Sequence, residues 1–561
     1  MTLQDRLDRL ASSWRGPLLA AIVALLAGLP GALSLPPLDR DESRFAEASA
    51  QMLESGDYVT TRFQDTPRFN KPVGVYWLQA AAVKALTPVD SRRIWPYRVP
   101  SLLGAMLAAA ACAWGAAAFL RPGASLAAGA ILAASLLLST EAFIASTDAV
   151  LCGLVTLAMA ALARLYLAQR GGPRAGPATK VAFWVALSLS VLVKGPIGPM
   201  TVVLTIAALV LWERRAAWVK TIGWGWGLIA LAAIAGPWAM AITVASDGAF
   251  WGAAIGGDLA PKLAGGQEGH GALPGAYVLL SPLLLFPAAL LLPASLTAGW
   301  RAAREPAIRF AWCWLVPNWL VFEIVPTKLV HYVLPTFGAL AWLIARSLTQ
   351  PIGRLAGALG ALLIVLSAIV LAAAGPAAMA KLEDWGAWPW AVLAGLLFAG
   401  SGLGGAWFLW RRRPGFALAA AGLFGLLGHV VLTAGLAPSL RSLWLSNRAA
   451  QALARAGWTP REGAPGPVTV AGYQEPSLVF LLGSGTQLGD AQDAADGIAE
   501  GRPVIVEGRQ DAAFRRALAV DGAAARRAGE GAGLDYSNNQ HDILRIYTPL
   551  ADPSAAATVH P

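Results

Sequence analysis

The sequence has few charged residues and only three cysteines for its length. Asp, Glu, Lys and Arg together make up 14% of the 561 residues, whereas 56% of the residues are hydrophobic. A soluble globular protein of ordinary composition carries about 25% charged residues. This shortage of charge excludes a soluble domain as the main part of the chain, and we expect the lipid bilayer to be its main solvent.

The cysteines Cys112, Cys152 and Cys313 all lie in apolar stretches, and none has CxxC spacing. The pattern therefore indicates neither a disulfide framework nor a cysteine metal site. The net charge of +10 comes from short Lys and Arg clusters between apolar runs and not from one basic domain. Because the positive-inside rule explains most of these clusters, we predict no nucleic-acid partner.

Long apolar runs recur until about residue 436 and predict about thirteen membrane helices in residues 1–436. The approximate spans are 17–35, 96–119, 124–140, 148–168, 181–195, 197–212, 221–243, 275–297, 309–325, 329–346, 353–375, 387–410 and 415–436. Lys and Arg gather in every second connection between them. This alternation predicts a cytoplasmic N-terminus and places the C-terminal tail on the outer face.

Residues 437–561 have a different composition, which predicts a small soluble α/β domain. The runs VTVAGY, SLVFLLG, PVIVEG and HDILRIYTPL are typical of short strands. Two helix-like stretches, Asp490–Glu500 and Asp511–Val520, alternate with these runs. The spacing of polar residues in this part indicates no catalytic site, so its role stays open.

The strongest functional candidate is the first predicted outer loop, which begins LDRDESRFAEASAQMLESGDY. Residues 42–54 have the spacing of an amphipathic helix, with Glu42 on its polar side. Asp41 and Arg44 then lie about one turn apart and offer a base beside a phosphate partner. The alternative is a solvated amphipathic loop whose charges keep it at the membrane surface.

Further polar residues fall on the same predicted face, although each has a simpler interpretation. Lys71, Lys194 and Lys328 suit phosphate oxygens, although for Lys71 and Lys194 the alternative is a lysine that only anchors the chain at the membrane interface. Asp148 lies where a loop enters a span, and a helix cap is the alternative to a cavity residue there. The remaining candidates are Asn70, Asp258, His270, His331 and Tyr332. Together they favour a site for a lipid-linked phosphate, with cations that stabilise the leaving group.

At these residues the sequence resembles the bacterial proteins related to protein mannosyltransferases in the GT-C superfamily, particularly the lipid A aminoarabinose transferases. The most specific pieces are LDRDESRFAEASAQMLESGDYVTTRF, FNKP, LVKGPIGP and TKLVHYVLP. The resemblance implies a polytopic GT-C fold with periplasmic juxtamembrane helices. It also implies an inverting transfer of a sugar from a polyprenyl-phosphate carrier to lipid A, lipopolysaccharide core or a related glycolipid, at the periplasmic face of the inner membrane.

The resemblance further implies roles for single residues. Asp41 would be the leading catalytic carboxylate, and Asp148 a supporting one. The residues expected to bind the donor phosphate are Arg44, Lys71, Lys194 and Lys328. Those expected to line the substrate cavity are Glu42, Asn70, Asp258, His270, His331 and Tyr332.

Two departures from the family pattern concern a metal. Aminoarabinose transferases typically carry Glu before the lysine, where this chain has Asn70, and GGDLAPK replaces their His-containing loop. Because those family positions are associated with a bound metal, we predict no metal and no other cofactor.

A polytopic transporter or lipid flippase is the alternative function, but it would place charges near midspan in two related halves. The sequence shows neither feature.

Overall fold

The computed structural model describes residues 8–265 and 271–550, most of them helical. Within these ranges, eight helices are long and apolar enough to cross a membrane, or nine if one bent pair forms a single span. The eight are Arg15–Ser34, Trp95–Ala116, Asp148–Ala168, Pro177–Lys194, Trp224–Ala245, Arg354–Leu382, Trp385–Trp410 and Pro414–Ser439. The chain is therefore a multi-span membrane protein, as its composition predicts.

The other predicted spans also form helices, but these are shorter, broken or less apolar. Their bounds are Pro122–Ala134, Leu136–Glu141, Ile197–Glu213, Ala276–Leu284, Leu292–Arg301, Pro306–Ile324 and Phe337–Ser347. The straight span predicted at 275–297 is instead bent by 115°. Pro287 lies at the bend and has no backbone N–H to continue a helix. The count of thirteen crossings stays a prediction.

The most enclosed span is Asp148–Ala168, with 89% of its most apolar window buried. It packs closely against Trp95–Ala116, because a Cβ atom at Gly153 would come within 2.5 Å of the Gly104 carbonyl oxygen. Small residues permit this close approach of two helices in a membrane. The packing fixes Asp148, the first residue of its helix, inside the protein.

Two juxtamembrane helices follow the first span. They are Asp41–Ser55 and Gly74–Leu86, joined through a short antiparallel ribbon, Arg62–Phe63 with Thr66–Pro67. The helix expected from the spacing of residues 42–54 is confirmed by the first of these two. Their buried apolar residues pack against each other, with Phe45 and Tyr76 rings 5.3 Å apart. Asp41 thereby begins a helix that is held on the end of the spans.

A 3₁₀ helix and a π-helical segment lie near the juxtamembrane helices and carry three of the predicted site residues. The bounds are Val330–Thr336 for the 3₁₀ helix and Gly252–Leu259 for the π-helix, with the short helices Ala249–Trp251 and Ala260–Ala264 on either side of the latter. The 3₁₀ helix leads into Phe337–Ser347 and carries His331 and Tyr332. The π-helix carries Asp258.

The C-terminal domain contains a five-stranded sheet. In spatial order its strands are Gln487–Gly489, Thr469–Ala471, Val504–Glu507, Gln540–Pro549 and Ala525–Asp535. The first three strands are parallel, and the other two pair antiparallel. The helices of the domain are Leu445–Arg455, Pro476–Leu482, Ala491–Ala499 and Asp511–Asp521. The boundary between residues 436 and 437 stays a prediction.

One strand predicted in this domain is wrong, because SLVFLLG lies in the helix Pro476–Leu482. Its apolar side chains pack on two sides: Leu478 lies in the core of the C-terminal domain, whereas Phe480 packs against Tyr97 of the membrane part. Burial on both sides produces an unbroken apolar run, which does not distinguish a short strand from a short helix.

Candidate active site

Two cavities meet where the juxtamembrane helix Asp41–Ser55 lies against the spans. The first, which we call the polar cavity, has a volume of about 790 Å³ and is lined by many charged side chains. The second, the apolar cavity, has a volume of about 770 Å³ and is lined mainly by hydrophobic residues. Eight residues line both: Asn70, Lys71, Asp148, Lys194, Asp258, Lys262, His331 and Tyr332. The charged side chains are thus concentrated where the two cavities join.

Most of the predicted site residues line the polar cavity. They are Asp41, Glu42, Arg44, Asn70, Lys71, Asp148, Lys194, Asp258, His331 and Tyr332. Lys328 lines neither of the two cavities in the described part of the chain; its Nζ donates to the carbonyl oxygens of Glu323 (2.8 Å) and Phe322 (3.1 Å). Lys328 therefore caps the end of Pro306–Ile324. His270 lies outside the described residues.

The Asp41 carboxylate faces the polar cavity and is 68% exposed. Its oxygen Oδ1 lies 3.7 Å from Arg68 Nη2 and 4.0 Å from Arg44 Nη1. The one-turn spacing expected for Asp41 and Arg44 is confirmed. Arg68 was missed in the sequence; it donates to the Tyr76 hydroxyl at 2.9 Å and lies 4.6 Å from the centre of the Phe45 ring. The two arginines orient Asp41 and leave it accessible.

Glu42, the next residue, is buried and its carboxylate is fully engaged. Arg98 donates to both of its oxygens at 2.8 and 2.7 Å, and the backbone N–H groups of Leu38 and Ala145 each donate at 2.8 Å. Arg98 also donates to carbonyls at the end of the first span. Glu42 thus joins that span, the juxtamembrane helix and the segment before Asp148, and its contacts indicate a structural role at the cavity wall.

Lys71 and Lys262 lie on either side of one carboxylate. Lys71 Nζ donates to Asp258 Oδ2 at 2.7 Å, and Lys262 Nζ donates to Asp258 Oδ1 at 2.6 Å. Burial lowers the pKa of Lys71 to about 8, although Asp258 opposes this effect. The sequence does not indicate a role for Lys262, because its spacing from Asp258 does not reveal the distant Lys71. Two ammonium groups in this arrangement suit the oxygens of a phosphate.

His331 lies between two carboxylates. Its Nδ1 atom is 3.6 Å from Glu141 Oε1, and its Nε2 atom is 3.7 Å from Asp148 Oδ1. Asp148 also accepts from Lys194 Nζ at 2.5 Å. The predicted cavity residues Asp148, Lys194 and His331 therefore form one connected ion network, with Glu141 as a member that sequence reasoning missed.

Three of these residues lie close enough together to be considered as metal ligands. Glu141, Asp148 and His331 form the one group in residues 8–265 and 271–550 whose three possible ligand atoms lie within 4.8 Å of one another. However, the Lys194 ammonium group already lies 2.5 Å from Asp148. A charge this close repels a second cation strongly in a partly buried site. The donor set therefore fits an internal ion network and does not fit a metal centre; the absence of a metal stays a prediction.

Comparison with solved structures identifies the fold. The crystal structure of ArnT from Cupriavidus metallidurans bound to undecaprenyl phosphate matches with a TM-score of 0.75 at 18% sequence identity, covering 94% of this chain and 97% of that one. The chain has the fold of that transferase. Residues 11–249 also match the family described as dolichyl-phosphate-mannose-protein mannosyltransferase. The predicted fold class, a helical multi-span membrane part with a small C-terminal α/β domain, is confirmed, and so is the predicted resemblance to the mannosyltransferase-related GT-C proteins.

Sequence relatives point to the same group. The undecaprenyl phosphate-alpha-4-amino-4-deoxy-L-arabinose arabinosyl transferase of Aeromonas salmonicida (strain A449) is 28% identical over 324 residues, which are 56% of this chain and 57% of that protein. Transferase 1 of this name from Sodalis glossinidius (strain morsitans) is 29% identical over 416 residues, 70% of this chain and 71% of the relative. The chain thus spans little more than half the length of the Aeromonas relative. Its predicted similarity to aminoarabinose transferases is confirmed.

Proposed function

We propose that the chain is an inverting glycosyltransferase that moves a sugar from a polyprenyl-phosphate carrier to lipid A, lipopolysaccharide core or a related glycolipid. The reaction takes place at the periplasmic face of the bacterial inner membrane. The observation that carries this proposal is the junction of the two cavities, where lysines separate an apolar space from a polar one. An isoprenoid chain fits the apolar cavity, and its phosphate fits the lysines at the junction. A sugar with its acceptor fits the polar cavity.

The donor phosphate takes the place of the Asp258 carboxylate between Lys71 and Lys262. Both ammonium groups lie within 2.7 Å of that carboxylate, so they are already arranged around an anion. Lys194 adds a third positive charge at the cavity junction. Cations fixed in this way stabilise the charge that develops on the phosphate as its bond to the sugar breaks.

Asp41 is the catalytic carboxylate in this proposal. Its exposed oxygen can accept the proton of an acceptor hydroxyl, which then attacks the sugar from the side opposite the phosphate and inverts the configuration. Where the acceptor is a phosphate that is already ionised, Asp41 orients it and removes no proton. Asp148 is less suited to take a proton, because Lys194 and His331 already engage its carboxylate. Its proposed role is to hold these two side chains at the site.

The experiment compares the glycolipids of cells that lack the chain with those of complemented cells, by mass spectrometry at matched membrane levels. The complementing proteins are the native chain, Asp41→Asn, and Asp65→Asn as a control. Asp65 lies in the same loop and is exposed, but lines neither cavity in the described residues. We expect loss of one sugar, which the native chain and Asp65→Asn restore and Asp41→Asn does not. An unchanged glycolipid profile without the chain contradicts the proposal, and full restoration by Asp41→Asn contradicts the role of Asp41.

A further inference from the structure

The C-terminal domain lies directly on the helix that begins with Asp41. Phe480, in the helix Pro476–Leu482, packs among buried residues of the juxtamembrane helix, Ala46 and Ala50, and its ring centre lies 5.3 Å from that of Tyr97. This contact joins the C-terminal domain to the membrane part through a shared apolar cluster. The domain is therefore placed to influence the position of the juxtamembrane helix.

The far end of the juxtamembrane helix is held by a buried arginine. Arg92 pairs with Glu47 and, at 2.5 Å, with Glu54, and it donates to the Ser484 hydroxyl of the C-terminal domain at 2.7 Å. Ser484 also donates to Glu54 at 2.6 Å. The domain and the helix thus share one network of charge-assisted hydrogen bonds, which are stronger than bonds between neutral groups.

The near end is held at the two residues immediately before Asp41. The Asp39 N–H donates to the Tyr536 hydroxyl at 2.5 Å, and the Ser477 hydroxyl donates to the Asp39 carboxylate. Arg40 Nη2 donates to the Ser537 carbonyl oxygen at 2.7 Å. Three residues of the C-terminal domain therefore bind a segment of only two residues.

The backbone at Arg40 explains why this segment needs support. Its φ of 58° and ψ of −113° are strained for a residue with a side chain, and such a conformation persists only where the surroundings hold it. The Arg40 carbonyl oxygen also accepts the first hydrogen bond of the juxtamembrane helix, from Arg44 N–H at 3.0 Å. A change of conformation at Arg40 therefore changes the direction in which the helix starts and moves Asp41.

We propose that the C-terminal domain belongs to the active site as its positioning element. Tyr536 and Ser477 hold Asp39, the Ser537 carbonyl holds Arg40, and these contacts together orient Asp41 toward the acceptor. The inference rests on the proposed function, and it gives a role to a domain that the sequence left without one. Tyr536 and Ser477 are positioning residues, because they bind the segment before Asp41 and do not line the polar cavity in the described part of the chain.

The test uses the full chain in lipid nanodiscs and removes one hydroxyl at a time. Tyr536→Phe deletes the acceptor for the Asp39 N–H, and Ser477→Ala deletes the second contact. Tyr97→Phe is the matched control, because the Tyr97 hydroxyl lies buried in the same domain interface and has no hydrogen-bond partner among residues 8–265 and 271–550. All three variants keep the size of the interface almost unchanged.

The first measurement is amide hydrogen exchange over residues 38–44, which needs no substrate. We expect Tyr536→Phe to speed exchange at Asp39 about fivefold, the equivalent of one hydrogen bond, and Ser477→Ala to act in the same direction. Tyr97→Phe should leave this segment unchanged. Unchanged exchange in both Tyr536→Phe and Ser477→Ala overturns the proposed contact.

The second measurement is steady-state transfer from a polyprenyl-phosphate sugar to a glycolipid. We expect Tyr536→Phe to lower kcat about tenfold or more, since a small misplacement of a catalytic group has effects of this size. The KM of donor and acceptor and the melting temperature should match those of Tyr97→Phe. Faster exchange with normal kcat, or a raised KM at normal kcat, overturns positioning by Tyr536. If exchange is faster in Tyr536→Phe but the native chain itself transfers no sugar, the proposed function is overturned, and the catalytic role of the contact fails with it.

Discussion

Two groups of ion pairs lie at opposite ends of the same span, and in the part of the chain that the structure describes one of them borders the polar and apolar cavities while the other borders neither. At the first residue of Asp148–Ala168, Asp148 meets Lys194 where the polar and apolar cavities join. Near the other end of that helix, Tyr166 donates to Glu213 at 2.6 Å, and two arginines donate to the same carboxylate. Glu213 lines neither cavity in the described residues.

The comparison shows that a cluster of charges does not by itself indicate a catalytic site. Around Glu213, donors from three residues converge on one carboxylate, so the group stabilises the fold and leaves no accessible base. At the other end, Asp41 stays exposed to the polar cavity, and the two lysines beside Asp258 have a partner that an incoming anion can replace. Function is expected where the charges border a space of suitable size and polarity.

The largest expected effect separates Asp41 from the structural ion pairs. Asp41→Asn should lower kcat by about 10²–10⁴-fold, the contribution of a positioned general base to an acceptor hydroxyl. Because the side chain is 68% exposed, the melting temperature should not change. Purified Asp41→Asn and Asp65→Asn are compared by initial rate and by thermal unfolding. A normal rate in Asp41→Asn contradicts the assignment.

The opposite pattern is expected for Glu213→Gln. Glu213 has a side chain only 8% exposed, and its loss leaves two partly buried arginines without their carboxylate. Breaking such a pair costs about 3–5 kcal/mol of stability. Thermal unfolding in nanodiscs should show this loss, while kcat per folded molecule stays close to that of the native chain. A stable variant with lost transfer would place Glu213 in the functional network.

Removal of the positive charge at Lys71 should weaken donor binding with little effect on folding. A charge-assisted hydrogen bond to phosphate contributes about 1.5–3 kcal/mol, so the donor KM of Lys71→Gln should rise roughly ten- to a hundredfold. Initial rates over a range of donor concentrations give this value. Lys220→Gln serves as the charge-matched control, because Lys220 is exposed and lines neither cavity in the described residues. Equal donor KM values in the two variants would contradict the assignment of Lys71 to the phosphate site.

The pH dependence of donor binding should follow from the same lysine. Burial lowers the pKa of Lys71 to about 8, so its ammonium group is present below that pH and is lost as the pH rises through it. Donor KM in the native chain should therefore increase above about pH 8, within the range where Lys71→Arg keeps its charge. A flat profile in the native chain, or an equal rise in Lys71→Arg, argues against this cause.

The smallest expected effect concerns Asp258. In Asp258→Asn the two lysines lose the carboxylate that competes with the donor phosphate, so donor KM should fall about fivefold, or roughly 1 kcal/mol. Donor titrations with the native chain and the variant measure this change. A donor KM that rises would show that Asp258 holds the lysines in place for the phosphate instead of competing with it.

Local features of the site followed from the sequence, and contacts between distant residues did not. The helical spacing after Leu38 predicts that Asp41 and Arg44 lie one turn apart. In the structure Asp41 Oδ1 lies 4.0 Å from Arg44 Nη1. By contrast, Lys71 and Asp258 are separated by 187 positions, and no spacing rule joins them. Membrane-spanning character was also predictable, because it depends on composition summed over long windows.

Lys71 and Lys328 show why the remaining site residues were harder to predict. Both fall on the same predicted face of the membrane, and their local sequences do not indicate different roles. In the structure Lys71 reaches the cavity junction, whereas Lys328 turns back to carbonyl oxygens at the end of a helix. That difference depends on packing between elements far apart in sequence, as does the contact of Tyr536 with Asp39.

The central claim is that the two cavities together bind a lipid phosphate, and native mass spectrometry of the purified full chain tests it most directly. The protein is incubated with a polyprenyl phosphate or with the polyprenol of equal length, which lacks the phosphate. We predict that the native chain retains the phosphate form preferentially and that Lys71→Gln loses this preference while Lys220→Gln keeps it. Equal retention of both lipids by the native chain, or an undiminished preference in Lys71→Gln, would contradict the account.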